Sequence, residues 1–371
     1  MPISSKNSAI TILSAPPVAT HGWGRYSRDL ISALVARGAE ITLITDYDAP
    51  VDPELPLAGY HRLLPSVIHP ARFNTARLLR VAPRIRQLTA AAAQVYIFAE
   101  PHTLAAGLVQ VPLTISAHGT YISRSLQRRG SGRFVSWLYR RVYQHSRIVC
   151  VSHYTERTVK AVLPNVATRV ILNGVDVARY RQSVALPAKA APTVLAVGQV
   201  KARKGYHVLV AAMMALRAYM PEVQAVFIGD LSDAAYVGAL RAQITAAGMN
   251  RSIKLLGRVD DETLIGWYQA ADVFALPALN VDGKFEGFGL AYLEAGAAGL
   301  PAIGTLDCGA EDAILDGQTG LLVPQSDVAA LTTALRQLLS DPQQRAQMAA
   351  AAKSYAESQT WDSIAERWLA L

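Results

Sequence analysis

Two doubly wound α/β domains in tandem are what the sequence predicts, and three observations predict them. At 371 residues the chain is too long for one ordinary hydrophobic core. Short apolar strands alternate with helical periods, and the alternation restarts after an aperiodic stretch rich in Pro, Ala and Ser. Glycine-rich or cationic loops follow the first strand of each series, where doubly wound sheets bind their ligands.

The first series opens with a strand over 9–13 that ends in the turn-rich Ser14-Ala15-Pro16-Pro17. The glycine-rich loop His21-Gly22-Trp23-Gly24-Arg25-Tyr26 follows, then a helix with Leu30, Ala33, Leu34 and Val35 inward. Gly38 caps that helix and 40–45 is the next strand, which completes a βαβ unit. Further strands are expected at 95–98, 113–116, 147–151 and 170–172, giving an N-terminal Rossmann-like domain over 1–180. Residues 181–192 read as a linker.

The second series places strands at 193–197, 224–228, 253–255, 273–276, 301–304 and 320–323. Helices are expected at 206–218, 234–247, 264–270, 289–299, 328–339 and 342–358. This makes a second Rossmann-like domain over 193–356, and 357–371 is expected to be a helix packing back on the first domain. Two such domains are expected to face each other across a cleft lined by the carboxyl ends of their strands.

Composition narrows the class. With 51% hydrophobic and 17% charged residues the chain is globular, not disordered. The longest apolar runs, such as 104–113, are too short to span a bilayer. No basic stretch followed by an apolar one opens the sequence, so no signal peptide is expected and the chain reads as cytosolic. Cys150 and Cys308 are far apart and give neither a metal spacing nor a disulfide framework.

The net charge of +8 is locally concentrated. No acidic residue lies between Glu100 and Glu156, while Arg124, Arg128, Arg129, Arg133, Arg140, Arg141 and Arg147 crowd that interval. Over 133–143, Phe134, Trp137, Leu138 and Val142 recur at helical spacing, with Arg133 and Arg140 a heptad apart on another face. Such a helix suits an anionic membrane surface or an anionic acceptor, and equally a solvated surface. No nucleic-acid motif accompanies the charge, and no nucleic-acid partner is expected.

The chemistry concentrates at 285–301. Glu286 and Glu294 bracket a Gly287-Phe288-Gly289 turn that leads into an Ala-rich helix, whose first amides are a ready phosphate site. Lys201, Arg203 and Lys204, just after strand 193–197, suit a diphosphate. His118 follows strand 113–116 at the presumed cleft, where a structural and a functional histidine are equally expected. Gly22, Gly24 and Ser27 imitate G-x-G-x-x-G with the last glycine replaced, and Asp46 imitates its ribose-binding acid. That match is weak. Asp46-Tyr47-Asp48 is also a D-x-D, but it reads better as a polar strand end than as a metal site.

With these residues in hand the chain resembles glycosyltransferase family 4, the retaining group with the two-domain GT-B fold. The resemblance runs through Gly22 to Tyr26, Asn173-Gly174-Val175-Asp176, Gly198 to Gly205, Glu286 to Leu290, Glu294-Ala295, Gly299-Leu300-Pro301, Gly309-Ala310-Glu311, Gly317 to Pro324 and Trp361. It implies sugar transfer from a UDP- or GDP-sugar to an acceptor sugar or lipid-linked acceptor, in cell-envelope glycolipid or polysaccharide synthesis. No cofactor and no metal are implied.

The resemblance also implies roles. Glu286 touches the donor sugar, with backbone from Gly287, Phe288, Gly289 and Leu290 on sugar and phosphates, and Glu294 holds the ribose. Lys204 and Arg203 hold the diphosphate, Gly22 and Gly24 approach it from the first domain, and backbone at Arg258 and Val259 meets the base. His118 lies near the transferred sugar and the acceptor. Gln199 departs from the family, which usually has arginine there, so the charge falls to Lys204 with Lys201 or Arg203. The loop 280–284 is longer than usual and is expected only to shape the donor pocket. The rival readings are another GT-B enzyme (a sugar phosphorylase or a nucleotide-sugar epimerase), an NAD-dependent oxidoreductase, and a non-catalytic sensor.

Overall fold

The computed structural model describes residues 9–18, 22–49, 55–66, 74–128, 130 and 132–371. They form two compact units, Met1–Asn173 with Trp361–Leu371, and Gly174–Thr360. The first unit is built on strands β1 (Ala9–Leu13), β2 (Glu40–Asp46), β3 (Gly59–Leu64), β4 (Gln94–Ile97), β5 (Leu113–Ala117), β6 (Arg147–Cys150) and β7 (Thr168–Val170). All pair in parallel, in the order β3-β2-β1-β4-β5-β6-β7. The chain therefore reverses its winding between β1 and β4, and the crevice outside those strand ends is where such sheets bind ligands.

Central strands bury both faces, as parallel sheets require: Ile12, Leu13, Ile97, Ile115 and Ile148 are all fully buried. The edge strand β3 escapes the sequence pattern because only Leu64 of its six residues is buried, so it carries no apolar alternation. The expected loop at Gly22–Tyr26 is instead the first turns of the helix Gly22–Ala36. Tyr26, Leu30 and Leu34 share its buried face, and that helical period starts earlier than the glycines suggest.

The helix Trp361–Leu369 belongs to this first unit. Trp361, Ile364 and Trp368 are buried, and Trp368 packs edge-on against Tyr96 and Phe98 at 4.9 and 5.2 Å. The Tyr96 hydroxyl donates to the Trp368 carbonyl at 3.1 Å, and Arg37 forks onto Asp362 at 2.7 and 2.8 Å.

The second unit begins at Gly174, ahead of the position near residue 180 that the sequence suggests. The reason is packing. Tyr180 is buried, lies edge-on to Tyr268 at 5.4 Å and accepts from Gln269 through its carbonyl at 3.0 Å. The expected linker is docked too, with Lys189 paired to Asp272 at 2.8 Å. Val175 N–H donates to the Gln359 carbonyl at 2.8 Å, which brings the outgoing and returning chains together.

Strands β8 (Thr193–Val197), β9 (Gln224–Ile228), β10 (Ile253–Gly257), β11 (Val273–Ala275), β12 (Ala302–Thr305) and β13 (Gly320–Val323) form the second sheet. All are parallel, in the order β10-β9-β8-β11-β12-β13. The winding reverses between β8 and β11, and the segments leaving those two strands are the cationic loop 198–204 and the stretch 276–289. The fold thus brings together what the sequence holds about 80 positions apart.

Candidate active site

At the end of β8 the chain makes a 3₁₀ turn, Ala202–Lys204, and enters the helix Tyr206–Leu216 through Gly205 at φ 71°. A Cβ on Gly205 would sit 1.8 Å from the Pro277 carbonyl oxygen, so only glycine lets the turn rest on the segment leaving β11. Leu279 N–H donates to the Arg203 carbonyl at 2.8 Å and the Tyr206 hydroxyl to the Gly198 carbonyl at 2.7 Å. These contacts hold two cations over one carboxylate. Lys204 Nζ donates to Glu286 Oε2 at 2.6 Å, and Arg203 Nη1 donates to the same oxygen at 3.0 Å and to the Phe285 carbonyl at 3.1 Å. Burial pushes the Glu286 carboxyl up, but Lys204 and Arg203 outweigh it and hold it at about 2. Glu286 is a permanent anion.

The loop carrying Glu286 is pinned from β12. Gly309 N–H donates to the Glu286 carbonyl at 2.7 Å, and a Cβ on Gly309 would lie 2.0 Å from the Gly287 carbonyl oxygen. Gly287, Phe288 and Gly289 then deliver the chain to the helix Leu290–Ala297, whose N-terminus no side chain caps. Phe288 is buried and anchors the turn. Glu294 is 7% exposed on that helix and accepts from the Tyr268 hydroxyl at 2.9 Å. One turn of chain therefore presents a helix start beside Glu286, Arg203 and Lys204, an arrangement suited to a phosphorylated ligand.

Around this centre, Lys201 Nζ donates to Gln199 Oε1 at 2.5 Å. Arg258, at the end of β10, pairs with Asp230, at the end of β9, at 2.6 Å, and Val259 follows it. The loop 280–284 is a tight two-residue hairpin closed by Val281 and Lys284, with Asp282 and Gly283 both at positive φ. Asp-Gly is the sequence signal for that turn. Asn280 Nδ2 ties it to the Asp307 carbonyl at 2.9 Å.

The first unit gathers a second set. His118, just beyond β5, donates its backbone N–H to Glu100 Oε1 at 2.6 Å, and its ring lies 4.4 Å from Tyr26, edge-on. The Tyr26 hydroxyl is 3.2 Å from Ser116 Oγ. Gly22 starts the neighbouring helix, with nothing within 4 Å of where its Cβ would be, and Gly24 is buried in the first turns. Burial pushes the Glu100 carboxyl up to about 7, although the amides of His118 and Gly119 and the Trp23 indole pull the other way. Burial likewise lowers His118 to about 4, against a ring hydrogen bond to the Phe98 carbonyl. The imidazole is neutral. His118 Nε2 and Glu100 Oε2 have no hydrogen-bond partner among the described residues.

Glu100 is the residue the sequence reading missed. Its signal was visible as the acid that opens the acid-free interval, three residues beyond a central strand, where it starts the 3₁₀ helix Glu100–Ala106. Asp46, by contrast, is 2% exposed, with a carboxylate oxygen 3.3 Å from His102 Nε2. Asp46 is turned inward beside His102, with neither carboxylate oxygen hydrogen-bonded among the described residues, and not outward as a ribose or metal ligand would be.

The basic helix spans Gly132–Gln144, and its expected apolar face splits. Leu138 and Val142 pack on the core, while Phe134 and Trp137 are 64% and 48% exposed and stack at 5.7 Å. Arg133 is exposed and Arg141 lies over the Trp137 ring at 5.2 Å. Arg140 instead reaches the Val162 carbonyl at 3.2 Å, and Arg128 lies 5.8 Å over Tyr139. Arg129 lies outside the described residues. Among the described residues no helix is long and apolar enough to cross a membrane.

Two family models divide the chain between them. The Glycosyltransferase Family 4 model matches residues 20–179, and the Glycosyl transferases group 1 model matches 179–355. The chain belongs to glycosyltransferase family 4. This family 4 chain is 26% identical to a glycogen synthase of Mycobacterium tuberculosis, over 94% of its own length and 90% of the relative's. It is 33% identical to a GDP-mannose-dependent monoacylated alpha-(1-6)-phosphatidylinositol monomannoside mannosyltransferase of Corynebacterium glutamicum, covering 58% of this chain and 59% of that one. Among solved structures it superposes on sucrose-phosphate synthase from Thermosynechococcus elongatus with a TM-score of 0.79 at 22% identity, over 97% and 96% of the two chains. Anabaena HepE in complex with UDP and glucose gives 0.75 at 18% identity, over 97% of each chain. The fold is GT-B, and the enzyme is a glycosyltransferase.

Proposed function

We propose that this glycosyltransferase moves a sugar from a nucleoside diphosphate sugar to an acceptor hydroxyl with retention of anomeric configuration. The observation that carries the reading is the Glu286 cluster: two cations on one buried carboxylate, beside an uncapped helix start, at the winding reversal of the second sheet. The bond between the anomeric carbon and the diphosphate oxygen breaks as the acceptor oxygen bonds to the same face of that carbon. The acceptor proton passes to the departing phosphate oxygen, so no covalent nucleophile is required.

Catalysis then rests on charge and placement. Lys204 neutralises the leaving diphosphate, and Glu286, kept ionised, accepts hydrogen bonds from the donor sugar. Backbone from Gly287 to Leu290 meets sugar and phosphate, Glu294 holds the ribose, and backbone near Arg258 and Val259 meets the base. On the first unit, Gly22, with open space where its Cβ would be, leaves room for the donor, Gly24 supports it from the same helix start, and neutral His118 serves the transferred sugar. These side chains supply the charge that the leaving group needs, so turnover is expected to survive chelation of divalent metals.

The acceptor is a carbohydrate or a lipid-linked one in envelope synthesis, reached at an anionic membrane surface. Exposed Phe134 and Trp137 among Arg133 and Arg141 support the surface contact, and the glycolipid acceptor in the mannosyltransferase's name supports the acceptor class.

Glu286→Gln and Lys204→Met test the assignment. Each is expected to cut turnover by about 10²–10³-fold with the fold intact by circular dichroism. Near-normal turnover in both would remove the assignment.

A further inference from the structure

The proposed transfer leaves one buried carboxyl of the first unit without a task. β4 and β5 pair in parallel with Ile97 opposite Ile115, so three residues further along each chain Glu100 and His118 arrive side by side. The ladder has ended there, and the His118 N–H that a strand carbonyl would otherwise meet donates to Glu100 Oε1 at 2.6 Å. The Gly119 amide and the Trp23 indole face the same carboxyl. The ring is gripped from the same chain. His118 Nε2 is buried without a hydrogen-bond partner among the described residues, so the ring hydrogen bond to the Phe98 carbonyl is made by Nδ1. A carbonyl only accepts, hence Nδ1 carries the proton of the neutral ring and Nε2 keeps a bare lone pair. Tyr26 closes a third side, edge-on to the ring at 4.4 Å, with its hydroxyl 3.2 Å from Ser116 Oγ. Trp23 and Tyr26 lie three residues apart on one helix, so its first turns meet both the carboxyl and the imidazole.

We infer that Glu100 is a positioning residue: it holds the peptide of His118 so that the ring, anchored through Nδ1 on the Phe98 carbonyl, presents Nε2 as a hydrogen-bond acceptor to a sugar hydroxyl. The role of His118 rests on the glycosyl-transfer reading above, and the part played by Glu100 is added to it. A buried acceptor without a donor is unfavourable, and a ligand hydroxyl supplies the donor that Nε2 lacks. Phe98 and Glu100 divide the work, the carbonyl fixing the tautomer and the carboxyl fixing the backbone that carries the ring. Only one oxygen of Glu100 does this, for Oε2 has no partner among the described residues. A neutral amide oxygen at the same place would therefore serve as well, whereas a methyl group would not.

The test combines nitrogen NMR of the full chain labelled with ¹⁵N-histidine, the His118 signals being those lost in His118→Ala, with transfer kinetics. Wild type and Glu100→Gln are expected to show His118 as a single tautomer with the proton on Nδ1, and Glu100→Ala to show both tautomers. Glu100→Ala should lose turnover by about 10²-fold, as a misplaced group does, with unchanged affinity for UDP and GDP, and Glu100→Gln should recover most of that loss. The double variant Glu100→Ala with His118→Ala should be no slower than His118→Ala alone, because the first residue acts through the second. A proton on Nε2 in wild type, an unaltered tautomer in Glu100→Ala, or losses that simply add in the double variant would overturn the inference. A chain that transfers from no nucleotide sugar would end the donor reading alone, since the spectra report the tautomer and its dependence on Glu100 without a donor.

Discussion

Glu100 and Glu286 are both buried carboxylates, and their surroundings give them opposite behaviour. Glu286 has two cations within 3.0 Å and stays ionised. Glu100 has backbone amides and an indole but no cation, so burial wins and its carboxyl rises to about 7. A raised carboxyl stabilises the fold below its unfolded value, near 4.5, and that stability is lost as pH rises through about 7. His118 works in the other direction: lowered to about 4, it contributes stability above its usual 6.5 and loses it as pH falls. The two slopes oppose one another between about 4.5 and 6.5, and only Glu100 acts between 6.5 and about 7. Wild type is therefore expected to lose melting temperature from pH 6.5 to pH 8. Glu100→Gln keeps an oxygen for the His118 amide and carries no charge, so its melting temperature should hold over that interval. A parallel decline in the variant would show that Glu100 is not the titrating group.

At the scale of elements, the site depends on two loops that approach within the space of one missing Cβ. Gly309→Ala would place a methyl 2.0 Å from the Gly287 carbonyl oxygen. Overpacking of this kind costs about 1–3 kcal/mol, and because Gly287 adjoins Glu286 the variant should lose nucleotide affinity as well as melting temperature. A titration showing wild-type affinity would contradict the role of that close approach. The exposed half of the helix Gly132–Gln144 behaves differently. Phe134→Ser with Trp137→Ser should change stability by no more than about 0.5 kcal/mol, as surface changes do. It should also abolish sedimentation with phosphatidylglycerol vesicles, and unchanged sedimentation would remove the membrane contact.

Much of this was legible in the sequence, and what was not has physical reasons. The central strands of both sheets read out because buried parallel strands are near-continuous apolar runs, whereas the edge β3 has one buried side chain and the opposite edge β7 has none and lies at Thr168–Val170, not at 170–172. Gly22 and Gly24 read as a loop because glycine disfavours helices, yet Tyr26, Leu30 and Leu34 carry the helix through them. The residue types of the candidate site were visible at 198–205 and 285–294. That Lys204 and Arg203 spend their charge on Glu286 was not, since the pairing is set by sheet order and not by spacing.

At the scale of the whole molecule, the first unit is not contiguous in sequence: its last helix arrives after the second unit is complete. Trp368 is fully buried, edge-on against Tyr96 of β4 and Phe98 just beyond it, on the chain that leads through Ala99 into the 3₁₀ helix Glu100–Ala106. Trp368→Ala is expected to cost about 3–5 kcal/mol, read by denaturant unfolding as a loss confined to a first-unit transition. A cost below 1 kcal/mol would mean that the helix is an appendage. The two sheets share one strand order about their winding reversals, and each reversal carries a different chemistry. The second unit carries cations and a helix start at its reversal, while the first carries a neutral histidine and a buried carboxyl.

The central claim is transfer from a nucleoside diphosphate sugar, and one measurement meets it most directly. The full chain is incubated with UDP-, GDP- and ADP-sugars, with and without acceptor sugars and lipid-linked acceptors, and the released nucleoside diphosphate and the anomeric form of the product are recorded. Release from a UDP- or GDP-sugar that depends on the acceptor is expected, with an α-linked product from an α-linked donor. No transfer from any of these donors, or a product with inverted configuration, would contradict it.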